Sequence, residues 1–355
     1  MRNAKICIVG TSNLKHISLI SLYTRYFDSE QIPYDIIYWD RYGVEESTTA
    51  QSVYRFYAKG KESTISRLRS FVKFRRYVKK IIKKKNYKYI ITWQTTGAYL
   101  LVDFLLRYYK NRYVVNVRDY VVEKKFPFNI LIKKLVKHAA LTTISSEGFE
   151  SFLPQGDYVK VNSVNEDILE NLSGIPRNKN KVIKVGFAGN CRYLNESYKL
   201  IDALGNDKRF ELWYCGTNSE KLAEYAKQKG VTNLFVKPAF DAKETVAIMS
   251  DFDFVNSAFG NDAMDNSTLM PIRLYTALAI HRPMLVNDKT QLGKEVSDHG
   301  LGYVITQYEG LGDKLADYYS KLDYEDFEQK CEEYLIKTRE ENKAFYTCIK
   351  NRLPL

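Results

Sequence analysis

The chain has 355 residues, 45% of them hydrophobic and 27% charged. That is enough apolar material for two cores, and it excludes a broadly disordered chain. The net charge of +12 asks for an anionic partner, whether nucleic acid, a membrane surface or phosphorylated small molecules. No run reaches the roughly 18 apolar residues of a membrane span.

Short apolar runs follow one another along the first half: KICIVG (5–10), DIIYW (35–39), KYIIT (88–92), YVVNV (113–117), LTTI (141–144) and YVKV (158–161). The first run is too short for a secretory h-region and is expected to be a first strand. The stretch 63–88 has an apolar helical face at Ile65, Leu68, Phe71, Val72, Val78, Ile81 and Ile82. Arginine and lysine crowd its other sides. It is expected to pack on the first sheet, with its basic side either solvated or facing anionic lipid. AYLLVDFLLRYY (98–109) is too short and too charged to span a membrane.

NLSGIPRNKNK (171–181) has the Gly, Pro and Asn of a linker. Beyond it the runs resume: KVIKVGFAG (181–189), FELWYCG (210–216), LFVK (234–237), FDFV (252–255), PMLV (283–286) and GYVI (302–305). β-branched and aromatic runs alternating with helical segments predict parallel sheets covered on both faces. The expected architecture is therefore α/β, with two doubly wound domains at 1–172 and 182–322. An amphipathic helix over 323–355 is expected to return to the first domain. Ligands of such sheets bind beyond the carboxyl ends of the strands, so two domains would face a shared cleft.

Two motifs fall at those ends. In KVGFAGNCRY (184–193), Gly186 and Gly189 permit a tight turn and close approach, and Arg192 offers a fork of donors suited to phosphate. The same residues also suit a structural turn beside a surface arginine; neither a GxGxxG fingerprint nor a P-loop is present. In DNSTLMPIRLYTALAIHRPMLV (265–286), Pro271 suits a first helical turn. The amides near Leu269, Met270 and Ile272 could then hold an anion, helped by Ser267, Thr268 and Arg273; an ordinary capped helix explains the pattern as well. DFD (251–253) is expected inside an apolar strand, so no acidic metal pair is identified. The five cysteines are widely spaced, without a CxxC pair, which points to a reducing cytoplasm and away from zinc or disulfides.

Taken together, IKVGFAGNCRY, FELWYCG, DFDFVNSAFGND and MPIRLYTALAIHRPMLV resemble the GT-B glycosyltransferases, in particular the retaining family 4-like enzymes of bacterial capsule and surface polysaccharide synthesis. VVNVRDY (114–120), ALTTISSEGF (140–149) and VKVNSVNEDI (159–168) resemble the acceptor-side domain. The resemblance implies a nucleoside diphosphate sugar held by Gly189, Asn190, Arg192, Thr268, Leu269, Met270, Pro271, Arg273 and Thr276, with the loop at 256–262 near the sugar. It implies an acceptor side at Gly10, Thr11, His16 and Arg118, with Asp119 as the catalytic candidate. No cofactor and no metal are implied. The acceptor would be a glycan, lipid-linked, reached from the inner face of the cell membrane through its anionic surface.

One departure stands out. Where the family carries a Glu-x7-Glu pair, this chain has Thr268 and Thr276. The lysine that accompanies the first-loop arginine has only Lys199 as a counterpart. Two rival functions remain at this level: a GT-B sugar-nucleotide epimerase, which needs no acceptor, and a nucleic-acid-binding protein using the basic helix. The second lacks any RRM, KH or helix-turn-helix pattern, so no nucleic-acid partner is expected.

Overall fold

The computed structural model describes residues 4–59, 63–164, 166 and 182–354, without the side chain of Ser18. The linker stretch 171–181 and the expected boundary at 172 lie outside the described residues. The chain divides into two compact units, Met1–Asn162 with Glu341–Leu355, and Ser163–Glu340.

The first unit is built on seven parallel strands: β1 (Ile6–Gly10), β2 (Tyr34–Asp40), β3 (Ser52–Tyr57), β4 (Tyr89–Trp93), β5 (Tyr113–Val117), β6 (Leu141–Ile144) and β7 (Tyr158–Lys160). Their order is β3-β2-β1-β4-β5-β6-β7. Every residue of β1, β2, β4, β5 and β6 is buried, as two-sided helical cover requires. The second unit has six: β8 (Ile183–Ala188), β9 (Phe210–Cys215), β10 (Leu234–Lys237), β11 (Phe254–Asn256), β12 (Met284–Asn287) and β13 (Gly302–Ile305), ordered β10-β9-β8-β11-β12-β13. In both sheets the order reverses beside the first strand, between β1 and β4 and between β8 and β11. Such switch points leave a crevice at the carboxyl edge, where ligands of this fold class sit.

Strand β3 was not expected. It lies at the sheet edge and is only partly buried, and Arg55 interrupts its apolar pattern. That charge is held by Asp40, at 2.6 Å, on the neighbouring β2. Burial alone would raise the Asp40 carboxyl, but the bonds from Asn13, Tyr42 N, Arg55 and Gly43 N outweigh it and lower the pKa from 3.8 to about 2. A depressed carboxylate contributes stability that is present above its unfolded pKa and is lost as pH falls through the folded one. Asp40→Asn is therefore expected to destabilise the chain near neutrality by about 1–2 kcal/mol after allowance for solvent at Arg55. It should also flatten the loss of melting temperature between about pH 4 and pH 2. A parent-like acid limb in the variant would remove Asp40 from the account.

The basic helix runs Thr64–Lys85, capped by the Ser63 side chain, which accepts from Ser66 N. Only Phe74, Val78 and Ile82 are buried on it. Phe74 belongs to an aromatic cluster with Trp39 and Phe56, and it was absent from the expected face. Ile65, Leu68 and Val72 are instead 67%, 65% and 41% exposed. The reason is local: the cluster engages the middle of the helix, and the first two turns extend beyond it. Arg75 and Lys79 pair with Asp103, at 2.6 and 2.9 Å.

Two further expectations are corrected. Gly186 does not lie in the turn but inside β8, where an added Cβ would fall 2.2 Å from the ring of Phe252. Asp251, Phe252 and Asp253 precede β11 and are not part of it. Asp253 accepts from Lys184 N at 2.9 Å and from the Tyr319 hydroxyl, so its carboxylate fastens β8. The helix Tyr324–Arg352 serves both units. Phe327, Cys331, Tyr334 and Leu335 belong to the second unit's core; Phe345, Ile349 and, just past the helix, Leu353 belong to the first unit's. Asn342 is buried, accepting from Asn162 N and donating to Asn162 O.

Candidate functional site

In the second unit the crevice is shaped by two glycines. Gly189 has φ +138°, and a Cβ there would lie 2.8 Å from Nη2 of Arg273. Gly216, after β9, has φ +131°, and its Cβ would sit 1.8 Å from the Gly189 carbonyl oxygen. Only glycine satisfies both positions, so the turns after β8 and β9 are pressed together. Gly189 N donates to Cys215 O at 2.8 Å and Cys191 N to Thr217 O at 2.9 Å.

Beyond this rigid turn, Asn190 is exposed and accepts from Asn218 Nδ2 at 2.9 Å. Arg192 is exposed, with its guanidinium 4.8 Å from the Tyr193 ring centroid. Among the described residues it has no carboxylate partner. Arg273 reaches the same turn from the helix Ile272–Ala279. Its Nε and Nη2 donate to Ala188 O at 3.0 and 2.6 Å, and it lies 3.9 Å from the Phe187 centroid. Burial lowers its pKa to about 10; Cys191 opposes that shift and the nearby positive charge of Arg192 adds to it. The crevice thus holds two guanidinium groups that disfavour one another, a field that an anion would relieve. Arg273 braces the β8 turn, while Arg192 is the one left with free donors.

The remaining donor-side candidates are arranged around the same helix start. Thr268 ends a short helix, Met264–Thr268, and donates to Met264 O at 2.6 Å. Leu269 and Met270 are buried. Pro271 is the extended residue from which the helix begins, and the amides of its first turn have no acceptor within the helix. Thr276 is buried and donates to Ile272 O at 3.4 Å. The Cys191 thiol is buried and pushed up to about 12 by desolvation, which makes it a poor nucleophile.

A buried network beside these residues escaped the sequence. Glu196, 7% exposed, accepts from Asn287 Nδ2 at 2.7 Å, the Tyr308 hydroxyl at 2.5 Å and Lys199 Nζ at 2.9 Å. Asn287 Oδ1 in turn accepts from Gly260 N at 2.8 Å. The network fixes the loop after β11, and Lys199 is committed to Glu196. Its members come from positions 91 and 112 residues from Glu196, so no local pattern announces them.

At the first unit's switch point, the Thr11 carbonyl accepts from Arg41 Nη2 at 2.9 Å, and Arg41 N donates to Asn13 Oδ1 at 2.8 Å. The Arg41 guanidinium lies 4.8 Å from the Trp39 centroid. His16 is exposed and 5.2 Å from the Tyr42 ring; burial and then Lys15 and Arg41 lower its pKa, against Glu46. A cavity of about 770 Å³ opens here, and its walls include Thr11, His16, Trp39, Arg41, Arg67 and Gln94. Gly10, Arg118 and Asp119 are not among its walls. Gly10 ends β1, where a Cβ would lie 2.7 Å from Ile17 Cδ1. Arg118 is buried, donating to Val161 O at 3.2 Å above Trp93. Asp119 is half-buried just past β5. The loop that follows is pinned by Glu123, which accepts from Thr95 Oγ1 at 2.6 Å and from Val121 N and Val122 N at 2.6 and 2.9 Å. Sequence reasoning missed this fully buried carboxylate; a glutamate amid VVEKKF gives no sign of turning inward.

No family model matches the sequence, and no curated protein matches it. Solved structures do. Sucrose-phosphate synthase from Thermosynechococcus elongatus is similar with a TM-score of 0.70 at 11% identity, over 96% of this chain and 94% of that one. Anabaena Alr3699/HepE, solved in complex with UDP, gives a TM-score of 0.65 at 12% identity, over 98% and 100%. WaaG, a glycosyltransferase involved in lipopolysaccharide biosynthesis, gives 0.62 at 11%, over 96% and 95%. The chain therefore has the GT-B fold, with two parallel-sheet α/β domains.

Proposed function

We propose that this chain is a glycosyltransferase. Its second unit takes a nucleoside diphosphate sugar, and the sugar passes to a lipid-linked glycan in the building of a surface polysaccharide, with retention of anomeric configuration. The observation that carries the donor assignment is the exposed Arg192, without a carboxylate partner among the described residues, beside the braced Arg273 at the β8/β11 switch point. A diphosphate there gains the Arg192 fork and the first-turn amides of the helix Ile272–Ala279. The same groups would hold the charge that develops on the leaving diphosphate. HepE's complex with UDP supports a uridine nucleotide as the first to try. Thr276 stands where related enzymes carry a glutamate, and its hydroxyl already donates to its own helix. It can only accept from a ribose hydroxyl, which is a weaker grip than a carboxylate's. Asp119 is assigned to the acceptor side.

Calorimetry with UDP and a panel of UDP-sugars, followed by product analysis with and without acceptor, tests this. Binding of a UDP-sugar with acceptor-dependent release of UDP is expected. No nucleotide binding at millimolar concentration overturns the proposal, and acceptor-independent change of the sugar replaces it by an epimerase.

The membrane part rests on the first turns of the basic helix. There Ile65, Leu68 and Val72 are exposed alongside exposed Arg69, Lys73 and Arg76. Exposed apolar and basic side chains on one helix suit an anionic lipid surface, at about 1 kcal/mol per basic residue. Arg69→Gln, Lys73→Gln and Arg76→Gln together are expected to lower binding to vesicles containing phosphatidylglycerol by tenfold or more, with melting unchanged. Sedimentation that is indifferent to the three changes leaves only a solvated face.

A further inference from the structure

The cavity at the carboxyl edge of the first sheet has an unusual charge. Arg41, Lys59 and Arg67 all line it, His16 adds a titratable nitrogen, and no aspartate or glutamate is among its walls within the described residues. Two carboxylates that share Asn13 with Arg41 are already engaged. Asp40 accepts from Arg55, Asn13 and two backbone amides, and Glu46 accepts from Asn13 and from Leu14 N and Lys15 N. Neither is therefore free to neutralise Arg41.

Arg41 itself is held in place by the Thr11 carbonyl, by Asn13 and by Trp39. Its Nε is buried and has no hydrogen-bond partner among the described residues. Burial lowers its pKa; Tyr42 opposes that shift and Arg67 adds to it, so the two positive charges sense each other. Gln94, also in the lining, adopts φ +65°, a left-handed conformation that a non-glycine residue keeps only where its surroundings impose it. Thr11, Ser12, Ser70, Gln94 and Thr96 also line it and can accept as well as donate, but the charged groups among its described walls are all cationic. Planar guanidinium forks joined by a lysine ammonium match a phosphate.

We infer that this cavity binds a phosphate-bearing group, and that the acceptor of the proposed transfer is a phosphate ester or diphosphate. Naming the ligand an acceptor rests on the glycosyltransferase reading; the phosphate site does not. Two sources share this chemistry: a soluble sugar phosphate, and the diphosphate head of an isoprenoid-linked glycan.

The experiment uses the full chain carrying Arg192→Ala, which weakens the donor crevice's hold on phosphate. It is titrated by calorimetry with glucose 6-phosphate, with geranyl diphosphate and with glucose. Binding of at least one charged probe is expected, with glucose at least tenfold weaker. Adding Lys59→Gln and Arg67→Gln, both at exposed positions, is expected to weaken the charged probe by about tenfold or more while the melting temperature holds. Preference for glucose 6-phosphate identifies a soluble acceptor, and preference for geranyl diphosphate a lipid-linked one. Charged probes that bind no better than glucose, or that ignore the two substitutions, overturn the inference. Failure of the glycosyltransferase reading appears separately, as absent UDP binding in the parent chain.

Discussion

Replacing Arg192 by alanine is expected to weaken UDP binding by about 1.5–3 kcal/mol, the range for a hydrogen bond to a charged group. That is roughly a ten- to hundredfold rise in Kd. Stability should barely change, because the side chain is exposed, lies against Tyr193 and has no carboxylate partner among the described residues. Arg273→Ala gives the contrasting result. Its guanidinium satisfies the Ala188 carbonyl and covers Phe187, so its loss should lower the melting temperature as well as the affinity. Calorimetry beside thermal melting separates the two. An Arg192→Ala protein that is folded and binds UDP as the parent does would remove the diphosphate from this crevice.

Gly186→Ala carries the largest expected effect on folding. A Cβ there lands within 2.3 Å of three ring carbons of Phe252, inside a core that cannot give way by that much. A loss of about 3 kcal/mol is expected, at the upper end for overpacking. Phe252→Leu, in the same chain, should return part of it by making room, so the pair is non-additive. UDP affinity of the folded fraction should match the parent's. Additive losses in the double variant, or a selective loss of UDP binding with unchanged melting, would restore to Gly186 the role in ligand approach that its place in KVGFAG first proposes.

That contrast shows what was legible in the sequence and what was not. Two sheets of parallel strands could be read from runs apolar on both faces, because two-sided burial leaves little else for those positions to do. β3 was hidden because Arg55 breaks its pattern, and only the Asp40 partner on β2 makes the charge tolerable there. Gly186 and Gly189 look alike in the sequence. One makes room for a ring arriving from just before β11, and the other adopts a backbone angle that other residues avoid. Arg192 could be singled out because it follows a strand end directly. Glu196, Asn287 and Tyr308 could not, since they meet only after the second sheet is assembled. The charge of the first unit's cavity was obscured in the same way: Arg41 follows β2, Lys59 follows β3 and Arg67 lies in the helix Thr64–Lys85, and only the fold brings them to one cavity.

The helix Tyr324–Arg352 has a consequence for how the chain is made. Asn342, which caps the backbone of Asn162, stands 180 positions after it, and Phe345, Ile349 and Leu353 complete a core whose strands all lie before position 161. On the ribosome, the first unit emerges early with a hydrophobic gap that nothing yet fills. The second unit, by contrast, has every strand and its share of the helix in one uninterrupted stretch. The half synthesised first is thus the half that finishes folding last, and through that interval Tyr23 and its neighbours face solvent or a chaperone in place of Phe345.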